Sequence, residues 1–202
     1  FRAQIHRWLS LSTEDAFLPL AALTDAAAVA GDPSLLAEVR DEFMRRVNGN
    51  DAFLARFARP VLSFDTPGTG PLASILHAIG DSSEGIDLKK AGLFPVVHGV
   101  RSLALERGVA ATGTDERIGR LAGEGVFGDG FAADLREAFQ FLLALQLKTA
   151  LAAAGRGNGA ATAPLVDRHA LSRAEATLLK DSLRVVVALK EQVAHHFRLS
   201  LF

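Results

Sequence analysis

Lys89, Lys90 and Gly92 stand just ahead of an apolar helical stretch that begins near Leu93, and His98 and Arg101 follow within it. Two lysines and a glycine at the start of a helix form a plausible anion site, because the unpaired N–H groups and the helix dipole both favour negative charge. His98 and Arg101 are three apart and share one helical face. Together the four side chains could hold phosphate groups or the acceptor of a group transfer. The plainer reading of the same spacing is a solvated polar face opposite Leu93, Val97 and Val100.

Other chemistries have less to stand on. The chain holds no cysteine, which excludes disulfides, thiolate nucleophiles and cysteine-bound metals. No Gly-x-Ser-x-Gly elbow is present, so a serine hydrolase has no anchor. Gly123, Gly125, Gly128 and Gly130 alternate without a phosphate-binding motif and read as a loop. His195 and His196 are adjacent, about 100° apart on a helix, and suit the end of that helix better than a metal. Net charge is −1, with 22 basic and 23 acidic residues. That balance argues against a strong hold on nucleic acid or on an anionic membrane. The apolar run 138–154 is interrupted by Gln140, Gln146 and Lys148, which makes it a poor bilayer span. Absence of cysteine is compatible with a cytoplasmic home. The chain opens at Phe1 without Met and reads as part of something longer.

The elements that must position these residues are mostly helices. The 202 residues are 49% hydrophobic and rich in alanine and leucine, with no tyrosine, a composition that favours helix over strand. Residues 1–10 read as a short helix. Residues 17–30 read either as helix by propensity or as a buried strand feeding a helix. Gly31, Asp32 and Pro33 are a stop, a cap and a helix-start proline, and apolar spacing predicts a helix over 33–47. A short helix over 51–59 ends at Pro60. The Pro- and Gly-rich stretch 60–71 marks the main boundary, separating a first unit, 1–65, from a second, 66–202. Residues 72–79 and 84–89 suggest two strands of a hairpin.

The remainder reads as a bundle. Leu93, Val96, Val97, Val100, Leu103 and Ala104 form one apolar stripe, with Pro95 tolerated in the first turn. Thr114 suits the cap of a short helix through Leu121. Residues 131–154 form a long helix, apolar nearly all round, as expected at the centre of a bundle. Residues 155–164 read as a linker. Ser172 and Glu175 make a capping box. The last helix turns Leu178, Leu179, Ser182, Val185, Val186, Leu189 and Val193 inward. The expected fold is mainly α: an antiparallel bundle of about four helices, preceded by a small α/β piece with the hairpin.

Three segments together resemble one family: IDLKKAGLFPVVHGVRSLALERG at 86–108, DLREAFQFLLALQLKTAL at 134–151, and LSRAEATLLKDSLRVVVALKEQVAHHF at 171–197. Their order and spacing are similar to the helical substrate-binding domain of bacterial nucleotidyltransferase-like signalling proteins. In those proteins the transferase domain resembles that of the PII-protein uridylyltransferases, and cyclic-nucleotide-binding or CBS modules often precede it. The segment ALTDAAAVAGD at 22–32 resembles the stretch that closes the transferase domain. Asp25 and the Gly31–Asp32 pair match it, while Ala27 stands where the family carries an arginine.

The resemblance implies transfer of a nucleotidyl group from a nucleoside triphosphate to a protein or small-molecule acceptor, with Mg²⁺ in the intact parent and none expected in this chain. A PII-like protein is the implied partner. Asp25 would be a third metal carboxylate, or, more plainly, a turn aspartate. The Asp-x-Asp pair and the Gly-Ser turn that such chemistry requires are missing from these 202 residues. The implied role is therefore substrate binding and regulation. The alternative is a non-catalytic interaction module in a signal-transduction protein. A third reading, an unrelated ligand-binding bundle, would follow if 72–89 were helical. An exposed sheet edge in residues 1–60 would favour a dimer.

Overall fold

The computed structural model describes residues 2–10, 17–63, 85–155 and 165–199. Its α-helices are α1 (Arg2–Ser10), α2 (Phe17–Asp25), α3 (Pro33–Val47), α4 (Asp51–Ala58), α5 (Phe94–Glu106), α6 (Thr114–Gly123), α7 (Asp129–Gly155) and α8 (Arg173–His196). The expected strand of 72–79 and most of the linker at 155–164 lie outside the described residues.

Local chemistry explains most of the helix starts. Asp32 caps α3, its side chain accepting from the Ser34 N–H at 2.9 Å, and Pro33 occupies the first turn. Asn50 does the same for α4 through the Phe53 N–H at 3.0 Å. At α8 the Ser172–Glu175 box closes in both directions. α6 begins at Thr114, with Gly113 in the cap position and no side-chain bond. The expected Thr114 cap is therefore displaced by one residue.

The expected small α/β piece is not found among the described residues. Residues 17–25 form α2, which buries Leu20, Ala21 and Leu23. A Leu/Ala run without a partner strand satisfies its backbone internally, and only a helix allows that. Among the described residues the one β pairing outside the helices is an antiparallel bridge between Ile86 and Val166. Each donates to the other's carbonyl at 2.9 Å. The expected strand at 84–89 does not form: among its described residues only Ile86 pairs, with Val166 ahead of α8 rather than with a hairpin partner, and residues 88 and 89 are already helical. Gly85 enters the bridge with φ +90°, and a Cβ there would lie 3.0 Å from the Val166 oxygen, so glycine is required.

A widened π turn, Lys89–Leu93, leads directly into α5. The Phe94 N–H reaches back five residues to the Lys89 carbonyl. Pro95 explains the widening: it has no N–H for the Ala91 carbonyl, and its ring would crowd that carbonyl in a tight turn. Gly92, in the same turn, lets α7 come close, since a Cβ there would stand 2.8 Å from a Leu142 methyl.

α5, not α7, is the central helix. Nine of its positions are buried, from Pro95 and Val96 through Leu105, and α2, α3, α4, α6 and α8 all pack on it. α7 lies against α8, α6 and the π turn, burying Leu135, Leu142 and Leu145. Its other side is open: Leu143, Leu147 and Leu151 are 44%, 60% and 65% exposed. α7 is long and apolar enough to cross a membrane by length and composition, and its buried side forms part of the core. In α8 the inward set is Leu179, Ser182, Leu183, Val186, Val187, Leu189, Lys190 and Val193. Leu178, expected inside, is exposed.

The buried apolar residues form one cluster, reaching from Ile5 to Leu199. α2 and α4 join it through aromatic rings. Phe17 meets Phe57 edge-on at 6.2 Å, and Phe53 stacks on Phe57 at 5.9 Å.

Candidate functional site

His98 sits inside this aromatic group. Its ring lies 5.1 Å from that of Phe57 and 5.3 Å from that of Phe94, nearly parallel to the latter. It is 4% exposed, so the solvated-face reading does not hold for it. His98 Nε2 is 2.6 Å from the Phe57 carbonyl oxygen. A carbonyl can only accept, so Nε2 carries the proton and Nδ1 is left as an acceptor. Arg101 supplies the matching donor, Nη1 at 3.3 Å from Nδ1. The ring is thus a neutral imidazole of one tautomer. Burial, with the Arg101 charge adding to it against the Phe57 bond, pushes its pKa down to about 4.

Arg101 connects this pair to Asp25. Its Nη2 donates to Asp25 Oδ2 and its Nε to Oδ1 at 3.3 Å. The second partner of Asp25 is Arg117, whose Nη1 lies 2.7 Å from Oδ1. Arg117 is buried, and each of its guanidinium nitrogens has a partner: besides the Asp25 contact, Nε donates to the Ala111 carbonyl at 2.8 Å and Nη2 to the Thr24 carbonyl at 3.0 Å. Arg40, from α3, donates to that same Thr24 carbonyl at 2.8 Å. Arg40 and Arg117 therefore cap the C-terminal end of α2, where carbonyls lack helical partners and the dipole is negative. Partial burial raises the Asp25 pKa, but the two guanidinium groups outweigh it and hold the carboxyl below its ordinary value. Burial lowers the Arg117 pKa, opposed by Asp25.

The result is a polar relay from the end of α4 through α5 to α2 and α6: Phe57 carbonyl, His98, Arg101, Asp25, Arg117, Thr24 carbonyl. Of the residues that the sequence singles out, Asp25, His98 and Arg101 come together. Lys89 and Lys90 do not join them. Both are exposed on the π turn, and Lys90 faces Asp87, at 3.5 Å. Lys180 is exposed and Arg184 pairs with Asp181 at 2.9 Å, so neither reaches this region. His196 binds Glu106 at 2.7 Å, tying the end of α8 to the end of α5. Arg40, Arg117 and the two carbonyls have no signal in the sequence. Their partners lie 16 to 93 residues away, and no periodicity reports such a distance.

Asp25 does not fit a Mg²⁺ ligand. Both its oxygens face guanidinium groups, and among the described residues no three His, Asp or Glu side chains stand close enough to share a metal. Hard divalent cations need several grouped oxygens.

The described residues form a mainly helical domain with a charged relay where α2, α5 and α6 meet. Residues 51–197 match the family described as "putative nucleotidyltransferase substrate binding domain", and the chain belongs to that family. The match spans α4 to the end of α8 and takes in His98, Arg101 and Arg117. No curated protein and no solved structure matches the chain.

Proposed function

We propose that this chain is the substrate-positioning part of a nucleotidyltransferase, which moves a nucleotidyl group from a nucleoside triphosphate to a protein or small-molecule acceptor. Family membership carries the reading. The geometry supports it: the relay fixes Arg101 against Asp25, which lies in the segment 22–32 that resembles the end of a transferase domain. Holding an acceptor in line can supply roughly 7–11 kcal/mol of a barrier. The Mg²⁺ of such a reaction falls to carboxylates other than Asp25. Lys89 and Lys90, exposed on the π turn, would attract the triphosphate, and a PII-like protein is the proposed acceptor.

The test is a titration of the chain with ATP and with UTP, with and without Mg²⁺, followed by amide NMR. Shifts at Lys89 and Lys90, and at a second location at His98 and Arg101, are expected. Shifts absent from all four at saturating nucleotide would overturn the proposal for this chain.

One observation favours a second reading, a protein-interaction module. Leu143, Leu147 and Leu151 recur every fourth residue on the open side of α7 and present an uncharged ridge, as a docking helix does. Binding of a partner protein that is lost in Leu147→Glu, with no nucleotide response, would select it.

A further inference from the structure

Three guanidinium groups converge on α2's C-terminal end, and one carboxylate answers them. Arg40 comes from α3, Arg101 from α5 and Arg117 from the first turn of α6. Asp25 neutralises one charge. The helix end contributes roughly half a charge more. More than one positive charge therefore remains, concentrated in a chain whose overall balance is −1. Among the described residues no carboxylate pairs with Arg40; its protein partner is the Thr24 carbonyl alone.

The three arginines border a cleft of about 40 Å³, walled on its other side by Phe43, Met44 and Leu105. Each guanidinium offers about five N–H donors. Arg40 spends one of them on protein, and Arg101 and Arg117 spend three apiece. More than half are left over. The apolar wall lowers the local dielectric, which strengthens charge-assisted bonds made there.

We propose that this cleft is a binding site for a phosphate oxyanion, held by Arg40, Arg101 and Arg117. Forks arriving from three different helices suit a tetrahedral acceptor, which presents oxygens in three directions. A planar carboxylate presents two. Asp25 keeps Arg101 and Arg117 aimed and stays ionised beside the bound anion, because the guanidinium surplus covers both. The site stands on charge and geometry and is separable from the transferase reading.

Inorganic phosphate is the probe. It is titrated into the whole chain at constant ionic strength, followed by guanidinium Nε–H signals in NMR and by melting temperature. Phosphate is expected to shift the Arg40, Arg101 and Arg117 signals and to raise the melting temperature, and acetate at the same concentration to do neither. Arg40→Gln is expected to weaken phosphate binding by about tenfold, Arg40→Lys by less, and Lys90→Gln not at all. The Lys variant keeps the test valid if the Gln variant does not fold.

ATP identifies the source of the phosphate. Competition between ATP and phosphate assigns the site to a nucleotide. Phosphate binding without ATP competition keeps the site, assigns it to a small phosphate compound and removes support from the transferase reading. The proposal is overturned if phosphate leaves the three signals unmoved, if acetate acts equally, or if both Arg40 variants bind phosphate as the parent chain does.

Discussion

The seam between α7 and α8 and the relay around Asp25 hold the same molecule together by opposite means. Along the seam α7 and α8 pack together, α7 burying Leu135, Leu142 and Leu145 and α8 burying Leu179, Leu183 and Val186, with the Lys148–Glu175 ion pair also joining the two helices. Such contacts are numerous, non-directional and individually replaceable. The relay is a chain of single, directional bonds, each of which fixes the chemistry of the next. The Phe57 carbonyl sets the His98 tautomer, the tautomer receives Arg101, and Arg101 shares Asp25 with Arg117. Loss of one apolar contact leaves a cavity. Loss of one relay member leaves a stranded charge.

The largest expected effect breaks the seam. Leu142→Ala should cost about 3 kcal/mol, read as a lower urea midpoint, because Leu142 is fully buried and packs on Gly92. A cost below about 1 kcal/mol would show that α7 is loosely held.

Asp25→Ala comes next, at about 2 kcal/mol. A fully buried pair broken on one side costs more, and the solvent reaching Asp25 screens this one. The contrast sharpens with Asp25→Leu/Arg117→Met, which removes both charges and should be less destabilised than the sum of its two single changes. Simple additivity would mean that the carboxylate and guanidinium are not coupled.

The third effect is pH dependence. A histidine whose folded pKa lies near 4, against about 6.5 unfolded, binds more protons when unfolded. Stability is then complete above the unfolded value and falls as pH drops through 6.5 toward 4. The loss between pH 7 and pH 5 should be about 2 kcal/mol. Repeating the urea series on His98→Gln should flatten that slope, and an unchanged slope would place the titrating group elsewhere.

The smallest is local. Ser172→Ala removes one half of the α8 capping box and should cost about 1 kcal/mol, visible as a modest drop in melting temperature with the relay untouched.

Sequence reading succeeds on the seam and fails on the relay for the same physical reason. Apolar spacing and caps are local, so α3, α7 and α8 and the Ser172–Glu175 box are legible within a few residues of themselves. Asp25 and Arg101 are 76 residues apart, and Thr24 and Arg117 are 93 apart. Their meeting depends on the packing of three helices, α2, α5 and α6. Position on a helical wheel also misleads where a helix is surrounded. His98 lies off the Leu93–Val97–Val100 stripe, yet Phe57 and Phe94 cover it, because α5 rather than α7 is at the centre. Of the 17–30 segment, readable as helix or strand, residues 17–25 resolve as helix, and among the described residues no neighbouring strand is there to complete its hydrogen bonds. The three family-like segments pointed to the correct family, since their residues carry more information than their periodicity does.

The wide turn at Lys89–Leu93 works as a phase shifter. On an unbroken α-helix Lys90 and Arg101, eleven positions apart, would point within about 20° of each other. The turn closes on the fifth residue instead of the fourth, which changes the angular phase of the residues on either side of it. Lys90 is thereby swung out of line with Arg101. With one widened turn the fold sends its two groups of positive charge in different directions: Lys89 and Lys90 to the surface, Arg101 to the relay.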